Sequence, residues 1–469
     1  MTTSDQSPEV DSKRWIALWV IATATLMIVL DISIINIALP AAQADLGISD
    51  MNRPWVVTAY ALTFGGLLLL GGRIADFYGR KRMFIIGLVG FGIASILGGL
   101  AQDSFSLIAA RTLQGVFGAI LSPAALSLLT TAFTEPKERA KAFGVYGAVQ
   151  GMGGAVGLLL GGALTEYVGW RWCLFVNVPI CLAVIAAAIG NIRESHADAE
   201  RSFDLLGALL SMIGLAGVVY GFTLAAEDGG LSQSATLLPL AIGVVSLVAF
   251  VIRQNLASSP LLPMRLVTDR KRAAAFLSLV LLGAGMFGML LFLSFYLQVT
   301  LGFSPFQTGL AVLPFSIGVI AGSSVASKIT PNSGEPHAML IGLGLAVIGI
   351  ALLAFVDEDS SYFALVMPGL LVMSFGIGIY FVPASSLALT NVPQNDAGVA
   401  SALVNATQQI GGALGPALFN AIFLAVAGGA ATAASDIEGY RAVFLSAAGL
   451  YALALIAVLM LAGASKTSP

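Results

Sequence analysis

Two residues in this chain carry ionised groups where almost everything around them is apolar. Asp31 lies within the run from Trp15 to Pro40, and Arg111 within a second run that begins at Phe105. Counted from Pro40 and from Phe105 at 1.5 Å per residue, the carboxylate is about 13 Å and the guanidinium about 9 Å below the same membrane face. An ionised group at that depth is costly and needs a named partner, and these two depths let the pair meet. Desolvation favours the neutral acid while an adjacent cation favours the carboxylate, so a group held between them is suited to binding and releasing a proton. A static ion pair is the alternative reading. His196 and His337 sit singly in separate loops and form no metal site. Cys173 and Cys181 share one apolar run and are about 12 Å apart along a helix, too far to bridge.

Weaker polar signals surround this pair. Arg111, Gln114, Gly118 and Ser122 recur at helical spacing, as do Asn405, Gln408 and Gly412, and Asn36, Gln150, Tyr296, Gln298 and Tyr380 interrupt other apolar runs. Interhelical hydrogen bonding accounts for each of them as well as a binding role does. Gly147, Gly151, Gly154, Gly157 and Gly161 make a stripe that admits a neighbouring helix closely, for packing or for motion. The segment from Gly71 to Arg82 combines Gly72, Asp76, Gly79 and Arg80 with further cations. Its glycines suit a tight connection, and Asp76 is placed to cap a helix or to pair with an arginine.

The elements that must hold these groups follow from composition. The 469 residues are 58% hydrophobic and 10% charged, which excludes a soluble globule and supplies apolar residues for on the order of 14 spans of about 20. Runs long enough to span begin near Trp15, Val56, Met83, Phe105, Ala142, Trp172, Leu205, Ala235, Ala273, Phe306, Ala338, Tyr362, Val399 and Ala442. With the N-terminus inside, eighteen of the 22 Lys and Arg fall on the cytoplasmic side, with only Arg53, Arg171 and Arg441 outside. A cleaved leader over the first run is the competing reading, and it would discard Asp31. Gln150 to Gly157 is echoed by Gln408 to Gly415, and the same offset carries Trp15 onto Ala273. The expected fold is an all-α membrane protein of 14 transmembrane helices: two pseudo-symmetric six-helix bundles, 15–192 and 273–463, with two inserted helices in 193–272 and cytoplasmic tails at 1–14 and 464–469. Because each half begins on the cytoplasmic side, the repeat is parallel, about an axis along the membrane normal. The inserted helices have no counterpart in the repeat and are expected at the periphery.

Gly71-Gly72-Arg73-Ile74-Ala75-Asp76-Phe77-Tyr78-Gly79-Arg80-Lys81-Arg82 resembles the signature loop of the major facilitator superfamily. Leu30-Asp31 through Asn36-Ile37-Ala38-Leu39-Pro40, and Arg111-Thr112-Leu113-Gln114-Gly115, resemble motifs of its drug:proton antiporters. The span count, with Tyr296-Leu297-Gln298 and Phe303-Ser304-Pro305-Phe306-Gln307-Thr308-Gly309, is similar to the fourteen-span branch. The resemblance covers residues 15 to 463. It departs at Leu158, where the fifth-span motif of the antiporters has proline, so that helix is expected to bend less. The resemblance implies that Asp31 and Arg111 couple protons and that Gly72, Asp76, Gly79 and Arg80 form a conformational latch. It also implies that Asn36, Gln114, Gln150, Tyr296, Gln298, Tyr380, Asn405 and Gln408 line a central cavity.

The function expected is therefore secondary transport, with proton-coupled efflux of lipophilic drugs, dyes or antibiotics by alternating access. A proton-coupled uptake symporter for a small nutrient or metabolite, and a non-transporting membrane sensor, are the alternatives. No Gly-x-x-x-x-Gly-Lys loop is present to bind nucleotide, and no nucleophile, base and orienter constellation suggests an enzyme. Protons, a lipophilic or cationic small molecule and membrane lipids are the expected partners, with no cofactor and no nucleic acid. A multi-pass protein of the cell membrane with both termini cytoplasmic is the expected setting.

Overall fold

The computed structural model describes residues 9–133, 135–195, 204–227, 233–257, 260–392, 397–427 and 433–462, and among these there are helices and turns but no strand. The first six spans are α1 (Glu9–Leu46), α2 (Trp55–Tyr78), α3 (Arg80–Gly99), α4 (Ser104–Ala132), α5 (Pro136–Tyr167), and α6 (Trp172–Phe175) continued by α7 (Asn177–Asn191). Then come α8 (Leu205–Glu227), α9 (Ser234–Leu256) and the short α10 (Arg265–Thr268). The last six spans are α11 (Arg270–Phe295) with a π-helical turn at Tyr296–Thr300, α12 (Pro305–Ser333), α13 (Glu335–Leu353), a π-helical turn at Tyr362–Val366 leading into α14 (Met367–Leu389), α15 (Ala397–Ala427) and α16 (Ala433–Leu461). Thirteen of these spans are long and apolar enough to cross a membrane among the residues searched, and the 32-residue α5 is the remaining one.

Several helices start before their apolar runs do. α3, α11 and α13 begin at Arg80, Arg270 and Glu335. A helix that satisfies its own backbone loses nothing by running on into the headgroup region, where charges are welcome. Its ends are set by local chemistry. Asp103 caps α4 by accepting from the Ser106 amide at 2.7 Å, and that amide together with the Ser106 hydroxyl holds its carboxyl below the usual range. Asp269 accepts from the Arg272 amide at 3.0 Å to start α11. Between α2 and α3 the chain turns at Gly79, whose φ of +103° is a conformation that residues with a Cβ avoid.

The packing repeats across the two bundles. In the first, α1 pairs with α5, α4 and α7, while α4 pairs with α2 and α3, and α3 with α7. In the second, α11 pairs with α15, α14 and α16, while α14 pairs with α12 and α13, and α13 with α16, the same scheme eight spans later. Contact between the bundles obeys the same two-fold relation, α2 against α15 and α5 against α12. Helices without bulk at the contact make this possible: a Cβ on Gly71 would lie 2.1 Å from the Ala119 carbonyl oxygen, and one on Gly322 equally close to that of Phe375. The inserted α8 and α9 pack on each other, and α8 covers the junction of α2 and α15. α9 has few buried residues, Thr236, Gly243 and Gln254. Asp204 ties the pair together, accepting from the Gly207 amide, Arg253 Nε and Gln254 Nε2 at 3.0, 3.0 and 2.7 Å. Burial pushes that carboxyl up, but these donors together hold it below its ordinary value.

Most of the cations lie at one end of the molecule, acids outnumber cations at the other, and the bundles are joined at this net acidic end. Glu166, closing α5, accepts from the Ser304 hydroxyl at 2.5 Å and the Phe306 amide at 2.9 Å, and so caps α12 of the opposite bundle. Ser304 and Gln307 complete a capping box there, which is the structural content of the Phe303–Gly309 motif. Arg53, in the turn before α2, reaches into the second bundle. Its guanidinium is 4.3 Å from the ring centre of Phe295, 5.2 Å from Phe292 and 5.4 Å from Phe423, and its Nη2 donates to Asn420 Oδ1 at 3.4 Å. Burial lowers the pKa of this guanidinium and Asp50 opposes the effect. A desolvated cation over aromatic faces contributes about 2 kcal/mol. Arg53→Ala is therefore expected to shift the population toward states parted at the acidic end by roughly tenfold or more. Pulsed electron paramagnetic resonance would check it, with spin labels at the acidic ends of α2 and α15 in a background lacking Cys173 and Cys181. An unchanged distance distribution would count against this role.

Candidate functional site

Asp31 and Arg111 meet inside the first bundle. Each is 1% exposed, and Arg111 Nη1 donates to Asp31 Oδ2 at 2.5 Å. Four helices supply the surroundings. From α2, the Val56 carbonyl accepts from Arg111 Nε at 3.0 Å, and the Tyr60 ring lies under the guanidinium at 4.5 Å. On α4, Gln114 sits one turn beyond Arg111. Its Oε1 accepts from Arg111 Nη1 at 2.8 Å and its Nε2 donates to Asp31 Oδ1 at 3.1 Å. α7 contributes Asn177, whose Nδ2 donates to the same Oδ1 at 2.7 Å. On α3, the Ser95 hydroxyl accepts from Gln114 Nε2 at 2.9 Å and from Asn177 Nδ2 at 3.3 Å.

The carboxylate thus receives three side-chain donors and the guanidinium is shared between a charge, an amide and a backbone carbonyl. A buried pair is tolerable only when the remaining lone pairs and protons find partners in this way. Two polar atoms beside it do not: the Tyr60 hydroxyl and Asn177 Oδ1 are buried with no hydrogen-bond partner among the described residues. The arrangement stabilises an ionised acid beyond the reach of water and leaves acceptor capacity next to it.

The signature loop forms a second cluster, at the basic end. Arg80 donates through Nε to Asp76 Oδ1 at 2.8 Å, one helical turn away across the Gly79 break. Glu194, in the segment after α7, caps the start of α3: its carboxylate accepts from the Lys81 and Arg82 amides at 2.9 and 3.0 Å. Negative charge at a helix N-terminus satisfies free amides and opposes the helix dipole. A Cβ at position 79 would also lie 2.9 Å from the Glu194 carboxylate, which would have to shift to admit it. Gly72 faces Pro123 of α4.

The remaining candidates are scattered. Asn36 is buried in α1, donating to the Ile32 carbonyl at 3.0 Å, with its Oδ1 lacking a partner among the described residues. Gln298 donates to the Ile37 carbonyl at 3.1 Å and so links the two bundles. Tyr296 is buried and donates to the Asp357 carbonyl at 2.7 Å, closing the acidic end of the second bundle. Tyr380 shares a 2.7 Å hydrogen bond with Ser278 inside the second bundle. On α15, Asn405 is exposed and Gln408 half-buried. The Gln150 side chain lies outside the described residues. Sequence reasoning missed Asn177, Ser95, Tyr60 and Glu194. An asparagine interrupting the apolar run after Trp172 was the available signal for the first; a serine, a tyrosine and a loop glutamate carried none.

A family model for the Major Facilitator Superfamily matches residues 21–416. The chain is 45% identical over 459 residues to the puromycin resistance protein pur8 of Streptomyces alboniger, covering 95% of this chain and 91% of that protein. It is 37% identical over 407 residues to the cephamycin export protein CmcT of Amycolatopsis lactamdurans, covering 86% of this chain and 83% of that protein. Among solved structures it is similar to a bacterial homologue of the human lysosomal transporter Spinster, with a TM-score of 0.68 and 16% identity over 98% of this chain and 100% of that one. At that identity the likeness speaks for the fold alone.

Removing one member of the buried pair leaves the other without compensation. Arg111→Ala is expected to destabilise the protein by about 3–5 kcal/mol, and the double change Asp31→Asn with Arg111→Leu by less. Thermal unfolding in detergent micelles checks the order; equal losses would mean that the pair is not electrostatically coupled.

Proposed function

This chain belongs to the major facilitator superfamily, and from that premise we propose that it exports lipophilic or cationic small molecules, antibiotics or dyes among them, in exchange for protons. The superfamily and the exporter relatives make the protein a multi-pass membrane transporter and not an enzyme. The observation that carries the finer reading is the Asp31–Arg111 pair, an acid and a base buried together in mid-span and linked to four helices. Taking up a proton there would cancel the carboxylate charge and release Arg111 from it, which changes the forces between α1, α4 and α7. Such a change biases an equilibrium between arrangements of the helices, which is how proton binding is converted into alternating access. The resistance and export activities named for the relatives favour outward transport of amphipathic molecules over nutrient uptake.

In this reading the basic end is cytoplasmic, both chain ends lie there, and the membrane is the cell membrane. The contacts at Arg53, Glu166 and Gln298 then close the outer side. Asp76, Arg80 and Glu194 act as the cytoplasmic latch on the first bundle, with Gly72 and Gly79 permitting its geometry. The cavity candidates Asn36, Gln114, Gln150, Tyr296, Gln298, Tyr380, Asn405 and Gln408 are assigned to substrate contact or to its supports, and lipids surround the whole.

Asp31→Asn, reconstituted in liposomes, is expected to reduce dye export driven by a pH gradient to the background of empty vesicles while leaving dye binding within a few-fold. Proton-coupled export that persists in this variant would remove the central assignment. Asp76→Ala is expected to lower maximal rate by about tenfold and to change the half-saturating dye concentration little, since a latch governs population and not contact. A loss confined to affinity would make the loop a binding element instead.

A further inference from the structure

The neighbours of Asp31 are arranged for its ionised form, and they raise the question of what happens when a proton arrives. Arg111 Nη1, Gln114 Nε2 and Asn177 Nδ2 all donate to the carboxylate. A protonated acid must itself donate, and a guanidinium has no acceptor to offer. Gln114 is committed on both sides, its oxygen to Arg111 and its nitrogen to Ser95 as well as to Asp31. Asn177 differs: its Oδ1 is buried with no partner among the described residues, while its Nδ2 faces the carboxylate.

We propose that Asn177 is a positioning residue whose side-chain amide turns over when Asp31 takes up its proton, so that one residue serves both protonation states. A half-turn about the terminal bond exchanges oxygen and nitrogen with almost no change of shape. Before it, Nδ2 donates to Asp31 Oδ1. Afterwards the new proton sits on Oδ1 of Asp31 and is donated to Asn177 Oδ1. No bond other than the O–H forms, and no co-reactant beyond the proton is needed. Ser95 can follow the change, because its hydroxyl accepts from Nδ2 in one state and can donate to Oδ1 in the other. One amide atom is left without a partner in either orientation, so that cost is common to both and the proton decides between them. This inference rests on Asp31 being the proton carrier.

Other titratable groups face Asp31. They are Arg111 of α4, Tyr60 of α2, Cys173 of α6 and Cys181 of α7. α5 brings Tyr146 to Thr25, further along α1 toward the basic end, at 3.3 Å. A guanidinium stays protonated, and phenols and thiols are neutral at pH 7 by their ordinary values.

The experiment is infrared difference spectroscopy of the full-length protein in liposomes through a pH jump, with and without ¹⁵N-asparagine. Protonation of Asp31 is identified by a carboxylic acid band that is missing in Asp31→Asn. The expected result is that this band appears together with an isotope-sensitive asparagine side-chain band, and that the latter is absent in Asn177→Leu. In parallel, Asn177→Leu is expected to slow pH-driven dye export by about tenfold. Should Asn177→Leu not assemble, Asn177→Ser identifies the band in the same way. An Asp31 band with no accompanying asparagine change, or an export rate unaltered by Asn177→Leu, overturns the switch and leaves Asp31 as carrier. Absence of any Asp31 band in the unaltered protein overturns the carrier reading itself.

Discussion

A carboxylate and a guanidinium held together away from water constrain everything built around them. Each ion gives up several kcal/mol of hydration, and their mutual attraction makes good the loss only with well-placed hydrogen bonds to the rest of their polar atoms. Those bonds come from α2, α4 and α7 onto Asp31 of α1 and Arg111 of α4, and Ser95 of α3 holds the two amides that make them. The first bundle is therefore tied through its centre by polar contacts. The second bundle copies the helix pairing without the chemistry. Met289 stands where the repeat offset places Asp31, fully buried among apolar neighbours, and Gly369 stands opposite Arg111 and packs on Gly349 and Leu353 of α13. Backbone symmetry and functional asymmetry coexist because close helix packing needs small residues, whereas a charged pair needs particular ones.

The two ends of the molecule are held by different forces. At the acidic end the bundles grip each other through Arg53 in its phenylalanine cage, the Glu166 cap on α12 and Gln298 on the Ile37 carbonyl. At the basic end the recorded polar contacts of the signature loop stay within the first bundle, from Arg80 to Asp76 and from Lys81 and Arg82 to Glu194. The contacts that join the bundles and those that shape the loop are thus physically separate.

How much of this was legible in the residues depends on what sets each position. Helical rise alone put Asp31 and Arg111 at similar depths, and the structure brings them into contact because nothing else in mid-span can neutralise either. The span count and the repeat were legible for the same reason, since hydrophobic length and offset are one-dimensional quantities. Asn177 and Ser95 were not, because which turn of a helix faces an ion depends on rotation about its axis, and packing sets that. Glu194 reaches its amides across more than a hundred residues, a relation no local spacing encodes. Tyr296 and Tyr380 were placed by analogy of position, and their hydroxyls turn to the Asp357 carbonyl and to Ser278.

The pairing of Asp31 with Arg111 also has an electrical meaning. In the ionised state the two charges cancel within a few ångströms, and a membrane potential exerts almost no net force on the region. Neutralising the carboxylate unmasks the guanidinium, and one elementary charge then stands in the field, where a full crossing corresponds to about 2.3 kcal/mol per 100 mV. In the proposed proton exchange the buried pair would be voltage-silent when ionised and voltage-sensitive when loaded, so the potential would act on one half of the cycle and not on the other.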